Sequence, residues 1–383
     1  MAKAMLLIIF KQFLLLGCMS FGGPAAHLGY FKRHFVDNLN WLSNERYAQL
    51  ISLSQALPGP GSSQVSFAIG VEKAGLLGGL SAFIGFTLPS FLIMFFLALS
   101  AHQFGNLYFA VIAGLKLFAV VIVADATYSM AVSFCKTHLH KLIAVMSTLA
   151  LIFFAQLSSQ VFVLIVAAAI GWFYPHIKLP LTNNSKKVTI AWLPLGLFGT
   201  LLLLSFLPLG EWFEMFAPFY QTGAMVFGGG HVVLPILQAG VPTLETGQFL
   251  SAYASAQAIP GPMFTIATYL GAQVTPNSSL AGAILATLLI FLPGFLLMFA
   301  FLKSWLQLAD KPRFAGSIAA LNAAVVGFLA AALYSPIWQS AIHTVWHIIV
   351  VVVAFAWLRL AKPPIWWLLV GFIMLALGQQ YIS

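Results

Sequence analysis

Charge is what this chain has least of: Asp, Glu, Lys and Arg together make up 7% of its 383 residues, and only 8 residues are acidic. Soluble domains carry about a quarter charged residues, so an ordinary globular enzyme is excluded. The formal net charge of +9 does not read as a nucleic-acid surface, because the basic residues are scattered over short loops with no basic run. Two cysteines, Cys18 and Cys135, both in apolar stretches, exclude a disulfide framework and a metal cluster. No nucleotide-binding phosphate loop and no nucleophile elbow occurs, so any transport must be secondary, and no cofactor is implied. Leu15-Leu16-Gly17-Cys18 loosely resembles a lipoprotein cleavage box, but Lys11 interrupts the apolar core that a signal peptide needs.

What the chain has instead is apolar length. Hydrophobic residues make up 61% of it, in runs suited to a hydrocarbon core about 30 Å thick, which takes about 20 helical residues to cross. The expected fold class is an all-α polytopic membrane protein, with the lipid bilayer as its surroundings and no nucleic acid as partner. Segment A runs from about 4 to 35 and segment B from 47 to 71, followed by stretches near 74–100, 107–134, 139–156 and 159–174. A polar linker from Pro175 to Lys187 and an extra apolar helix at about 190–208 lead to segments A′ (212–240) and B′ (248–273). Stretches near 279–302, 314–337, 341–359 and 364–381 follow. The domain boundaries are therefore 1–175, a linker unit 176–210, and 211–383.

Segment B carries Gln55-Ala56-Leu57-Pro58-Gly59-Pro60-Gly61-Ser62-Ser63, and Gln257-Ala258-Ile259-Pro260-Gly261-Pro262 echoes it 202 positions later. Each proline removes an N–H donor and clashes with the preceding turn, so one helix ends near Leu57 and another starts near Ser62. Segments A and A′ break at Phe21-Gly22-Gly23 and at Phe227-Gly228-Gly229-Gly230. Leu88-Pro89-Ser90-Phe91 recurs as Leu292-Pro293-Gly294-Phe295, and Tyr128-Ser129 as Tyr334-Ser335. Biased composition explains matched Leu and Phe, but not Gly and Pro in the same order, so the duplication is real. Unwound backbone at membrane depth survives only against protein or a water-filled cavity. Breaks in corresponding places of two halves point to a transporter's binding site.

Lys and Arg favour cytoplasmic loops. If A and B are re-entrant hairpins, Lys32, Arg33, Arg46, Lys73, Lys136, Lys303 and Arg359 all fall on one side, and the outer loops hold Glu211, Glu214 and Glu245. If A and B cross as single broken helices, Lys32, Arg33 and Arg46 land outside, so the hairpins are preferred. Both readings place the N-terminus inside and the C-terminus outside, with the extra helix inverting the second repeat.

A helix that starts at a break offers unpaired N–H groups and a positive dipole end to an anion. The candidate oxyanion ligands are Gly22, Gly23 and His27 in A, and Gln55, Pro58, Gly59, Gly61, Ser62, Ser63 and Gln64 in B. Their counterparts are Gly228, Gly229, Gly230 and His231 in A′, and Gln257 and Gly261 in B′. Simple kinking for packing is the alternative; four breaks in paired register favour a site. The two histidines are candidates for anion or proton, against a satisfied buried imidazole. Gln55 and Gln257 either donate to substrate or tie down unwound backbone. Lys116 sits near mid-depth, where a charge is expensive and functional by default; snorkelling to a cavity or structural pairing is the alternative. Asp125, on roughly the opposite face of that helix, is the candidate for proton coupling, against structural capping or a lysine partner near the interface.

These motifs resemble the chromate ion transporter family in its long, two-domain form. The carriers are Phe21-Gly22-Gly23-Pro24-Ala25-Ala26-His27-Leu28-Gly29, Gln55 to Pro60 with Ser62-Ser63-Gln64-Val65, Gly85-Phe86-Thr87-Leu88-Pro89, and Val226 to Pro235. One departure is Ser54, where many members are expected to carry cysteine. The resemblance implies a bacterial inner-membrane carrier that expels chromate with the proton motive force, protons being the coupling ion. Sulfate has the same charge and tetrahedral shape and is the alternative substrate. Association into a homo-oligomer is compatible with this reading. An intramembrane enzyme using His27 or Asp125, and a channel, are the competing classes; a hydrolase does not need a duplicated set of helix breaks, and a channel's flux would ignore an imposed proton gradient.

Overall fold

The computed structural model describes residues 2–21, 23–100, 105–154, 156–174, 190–227, 232–241, 244–305 and 311–382. Gly22, Gly228, Gly229, Gly230, His231 and the polar linker 175–187 lie outside the described residues. The described residues are mostly helical, with no strand among them, as a bilayer demands of an open chain. Among the described residues, four helical stretches are long and apolar enough to cross a membrane: Gly61–Ser100, Ala113–Phe134, Pro276–Phe301 and Pro312–Ala341.

The first half opens with α1 (Ala2–Met19) and α2 (Gly23–Phe31), which continues as a π-helical stretch over Lys32–Asn38. The chain folds back between them. Phe13 packs on Phe31 and Phe35 at ring distances of 5.7 and 4.6 Å, and His34 Nε2 lies 2.7 Å from Gln12 Oε1. Then comes α3 (Asn44–Ala56), whose N-cap Ser43 accepts the Arg46 N–H through its side chain. It stops before Pro58-Gly59-Pro60, and α4 (Gly61–Ser100) follows. This α4 is two helices, joined where Ala74 (φ −147°, ψ 30°) and Gly75 (φ +63°) leave the helical region. Its first arm turns back along α3, and its long arm packs against α1, with Ser81 Oγ donating to Leu6 O at 2.7 Å. Three apolar helices complete this half: α5 (Gly105–Phe134), α6 (His138–Phe153) and α7 (Leu157–Phe173).

The second half repeats the plan after α8 (Trp192–Leu204). Helices α9 (Glu211–Met225) and α10 (Val233–Gly240) flank the A′ break. Helix α11 (Thr246–Ala258), held by a Glu245/Gln248 capping box, leads through the Pro260-Gly261-Pro262 break into a short 3₁₀ turn and α12 (Ile266–Val274). Next are α13 (Ser279–Phe301), α14 (Pro312–Ala332), α15 (Val345–Ala361) and α16 (Ile365–Ile382). Every described helix falls in a stretch expected from the apolar pattern, with ends shifted by a few residues. The break at Ala74 and Gly75, which closes the first hairpin onto the long arm of α4, coincides with the expected boundary between segment B and the next span.

The halves meet through their breaks. Gly59 N–H donates to Val226 O at 2.7 Å, and Gly261 N–H donates to Ser20 O at 2.9 Å. Each break of one half thus bonds to the opposite type of break in the other. Gly59 (φ +123°) and Gly261 (φ +100°) adopt backbone that L side chains rarely reach. A Cβ on Gly59 would also sit 2.9 Å from Gly294 Cα, and one on Gly261 2.8 Å from Ser90 Oγ, so both positions admit only glycine. The long arm of α4 and α13 cross between these contacts, Phe83 meeting Phe291 and Phe295 at 5.1 and 4.9 Å. Arg46, at the base of the first hairpin, reaches Leu302 O just beyond α13. Gln273, at the base of the second, donates to Ala98 O near the end of α4 at 2.7 Å. The two crossing helices therefore run antiparallel.

Candidate functional site

The Pro58-Gly59-Pro60 break delivers the start of α4 to a cavity of about 440 Å³, lined by Pro24, Gln55, Gly59, Gly61, Ser62 and Asp125 among others. Gln64 N–H is the first amide of this helix to bond back, to Pro60 O at 2.8 Å. The N–H groups of Gly61, Ser62 and Ser63 have no acceptor within the helix and carry its positive end. Pro24, in the first turn of α2, lines the same cavity. The N-terminus of α4 and the first turn of α2 thus border one cavity, an arrangement suited to an anion.

Behind the cavity wall lies a buried polar chain. His27 has no exposed surface; its Nδ1 is 3.2 Å from Ser62 Oγ, its Nε2 3.1 Å from Ser20 O, and its ring stands edge-on to Phe86. Ser20 O also takes Gly261 N–H, so one carbonyl serves a histidine of one half and the break of the other. Ser20 Oγ and Ser63 Oγ are fully buried and have no protein partner. Each would cost about 1–3 kcal/mol if left dry, which argues for water or ligand beside them.

Asp125 stands on the opposite wall, on α5. Arg359 Nη1, from α15, donates to Asp125 Oδ1 and to Ser129 Oγ, each at 3.0 Å, and its guanidinium lies 4.4 Å from the Tyr128 ring centre. Gln55, Ser133 and Phe134 are shared with a second, larger cavity of about 650 Å³, whose rim carries Lys136, His140 and Trp305. Joined through these shared residues, the two spaces form one vestibule beside α3 that reaches Ser62.

The structure brings Gln55, Gly59, Gly61, Ser62 and Asp125 to the cavity, with His27 directly behind Ser62 and Gly23 next to the lining residue Pro24. It employs others elsewhere. Gln64, fully buried, donates through Nε2 to Pro58 O and to Gly294 O at 2.9 and 3.1 Å, so it ties unwound backbone across the halves. The amides of Gly59 and Gly261 are spent on the bonds between breaks. Pro58 is buried beside them. Gln257 is buried in the second half, donating to Tyr253 Oη at 3.2 Å, while its counterpart Gln55 is exposed. Lys116, half-buried on α5, lines neither cavity. Sequence reasoning missed Ser129 and Ser133 as wall residues, although their spacing of four from Asp125 marks one helix face. It also missed Arg359 as the partner of Asp125; no local signal joins residues 234 apart. Among the described residues no group of three His, Cys, Asp or Glu could hold a metal.

The family model described as "Chromate transporter" matches residues 7–172 and 213–377, one match in each half. The chain is similar to a chromate transport protein of Pseudomonas aeruginosa, 27% identical over 84% of this chain and 79% of that protein. It is 29% identical to a probable chromate transport protein of Synechococcus elongatus, over 84% of this chain and 82% of that one. A chromate transport protein of Cupriavidus metallidurans is 27% identical over 84% of this chain and 80% of its own length. No solved structure matches significantly.

Proposed function

This chain belongs to the chromate transporter family, and from that premise we propose that it expels a tetrahedral oxyanion, chromate with sulfate as the alternative, across the bacterial inner membrane by proton-motive-force-driven alternating access. It is a multi-pass membrane transporter rather than an enzyme. The observation that carries the finer reading is the cavity on which the N-termini of α2 and α4 converge. A dianion there meets backbone donors and two dipole ends, with no carboxylate except one already neutralised by Arg359.

The two halves act as inverted repeats, units 1–175 and 211–383 joined by the linker unit 176–210, with α1–α2 and α3–α4 as re-entrant hairpins. The antiparallel crossing of α4 and α13 and the reciprocal bonds between breaks support this. The vestibule opens at the end where Arg46, Lys73, Lys136 and Lys303 gather; the positive-inside tendency makes that end cytoplasmic. Lys136 on the rim then attracts anions from the cytoplasm. Gly23, Gly61, Ser62 and Ser63 form the oxyanion site, and Asp125 relays protons between the vestibule and that site.

Flux of chromate, sulfate and molybdate in proteoliposomes tests the proposal, with pH gradient and membrane potential imposed separately. Chromate or sulfate flux that depends on either gradient is expected. Gradient-independent flux indicates a channel, and no flux of any tetrahedral oxyanion overturns the reading.

A further inference from the structure

We propose that His27 and Ser62 form a proton-operated donor switch, so that the oxyanion binds only together with a proton held on His27. The inference rests on the transport reading above and adds the group that couples the two ions.

The hydrogens around His27 are few and each has one place to go. Ser20 O is a carbonyl and can only accept, so the His27 nitrogen 3.1 Å away, Nε2, must carry a hydrogen. A neutral imidazole has one N–H, which leaves Nδ1 as a bare acceptor. Its partner at 3.2 Å is Ser62 Oγ, which must then donate its only hydrogen to the ring. With His27 neutral, Ser62 turns lone pairs toward the cavity and repels an oxyanion. A proton on Nδ1 reverses that bond: the ring donates, and the Ser62 hydroxyl is free to rotate into the cavity and donate to the anion. The imidazolium charge then lies one hydroxyl away, beside the N-terminus of α4.

Burial among Phe86 and the surrounding helices makes a lone imidazolium costly. An anion at Ser62 supplies the missing countercharge. Proton and anion therefore favour each other's binding by the same factor. The other titratable or charged groups on the neighbouring elements stand apart from the ring. Tyr47 on α3 donates to Leu28 O, His34 beyond α2 faces Gln12, and Asp125 across the cavity is held by Arg359. Arg46, Glu72 and Lys73 lie at the base of the hairpin. Both ring nitrogens are already accounted for by Ser20 and Ser62.

The switch also reaches the second half. Protonation strengthens the Nε2–H bond to Ser20 O, the carbonyl that holds Gly261 N–H. Loading of the site is thereby felt at the contact between the two repeats. A divalent oxyanion and its proton travel as a load of one net negative charge, which an inside-negative potential expels.

The test is equilibrium binding of sulfate, a dianion over the whole range used, to the purified full chain in nanodiscs across pH. Chromate, with its own ionisation allowed for, serves as second probe. Affinity is expected to rise about tenfold per unit fall in pH, the slope of one linked proton. His27→Gln keeps a donor for Ser20 but cannot titrate, so its affinity should be flat with pH. Ser62→Ala should lose affinity about ten- to a hundredfold together with the slope, and Ser62→Thr, which restores the hydroxyl, should recover both. A flat profile in the unmodified protein overturns the switch, as does a slope that survives in His27→Gln. A slope abolished in Asp125→Asn and retained in His27→Gln assigns the proton to Asp125 and likewise overturns it. If neither anion binds or moves in the unmodified protein, it is the transport reading that fails.

Discussion

Arg46 and Glu72 lie 26 residues apart in the chain, yet Arg46 Nε donates to Glu72 Oε1 at 2.6 Å. A continuous helix would separate them by about 39 Å at 1.5 Å per residue. The contact therefore closes the base of a hairpin whose tip is Pro58-Gly59-Pro60. Both side chains are partly exposed, so the pair adds about 0.2–1 kcal/mol. Its value lies in what it says about topology rather than in stability. The two ends of the segment thus lie together, and its tip meets the breaks of the other half.

The same topology in α1 and α2 makes a prediction about sidedness. Lys32 and Arg33 are exposed and should share the cytoplasmic face with Arg46. In a background lacking Cys18 and Cys135, a cysteine at position 33 should react with an impermeant maleimide in inside-out vesicles and not in intact cells. Reaction in intact cells would show that α1 and α2 cross as one broken span.

Gln55 is exposed in the vestibule and its repeat counterpart Gln257 is buried against Tyr253. Under the proposed alternating access this corresponds to a state open on one side. Gln55→Cys should label from the cytoplasmic face and be protected by chromate, while Gln257→Cys labels from outside only when a gradient drives turnover. Equal labelling of the two sites at rest would contradict alternation between the repeats.

Gly59→Ala should be among the most damaging small substitutions. It places a Cβ at φ +123° and against Gly294 Cα, at a cost of about 1–3 kcal/mol for the backbone alone and more for the clash. Gly196→Ala, where nothing lies within 4 Å, is the comparison and should melt like the parent. Thermal unfolding in detergent, followed by intrinsic tryptophan fluorescence, reads both; equal melting points would mean the breaks are not held as described.

Much of this fold was legible along the chain. Apolar runs of spanning length mark the helices because a bilayer leaves the backbone no other partner, and Pro58, Pro60, Pro260 and Pro262 mark the breaks because proline cannot donate. The candidate site was legible only as a set of glycines and hydroxyls at those breaks. Which of them face the cavity was not, since Gln64, Gly59 and Ser62 look equally suited in sequence. The structure sends Gln64 to Gly294, Gly59 to Val226 and Ser62 to the cavity wall.

Composition and periodicity alone determined the class, the duplication and the places where helices stop, because those follow from local rules: hydrophobic length, proline geometry, unpaired amides at helix ends. Tertiary structure alone decided the rest. The bonds of Gly59 to Val226, Gly261 to Ser20 and Arg359 to Asp125 join residues more than 150 positions apart. A hydrogen bond depends on a separation of about 3 Å and on direction, and no local pattern encodes which distant partner arrives. That is why the donors spent on holding the two halves together, and those left for an anion, could be told apart only in the folded chain.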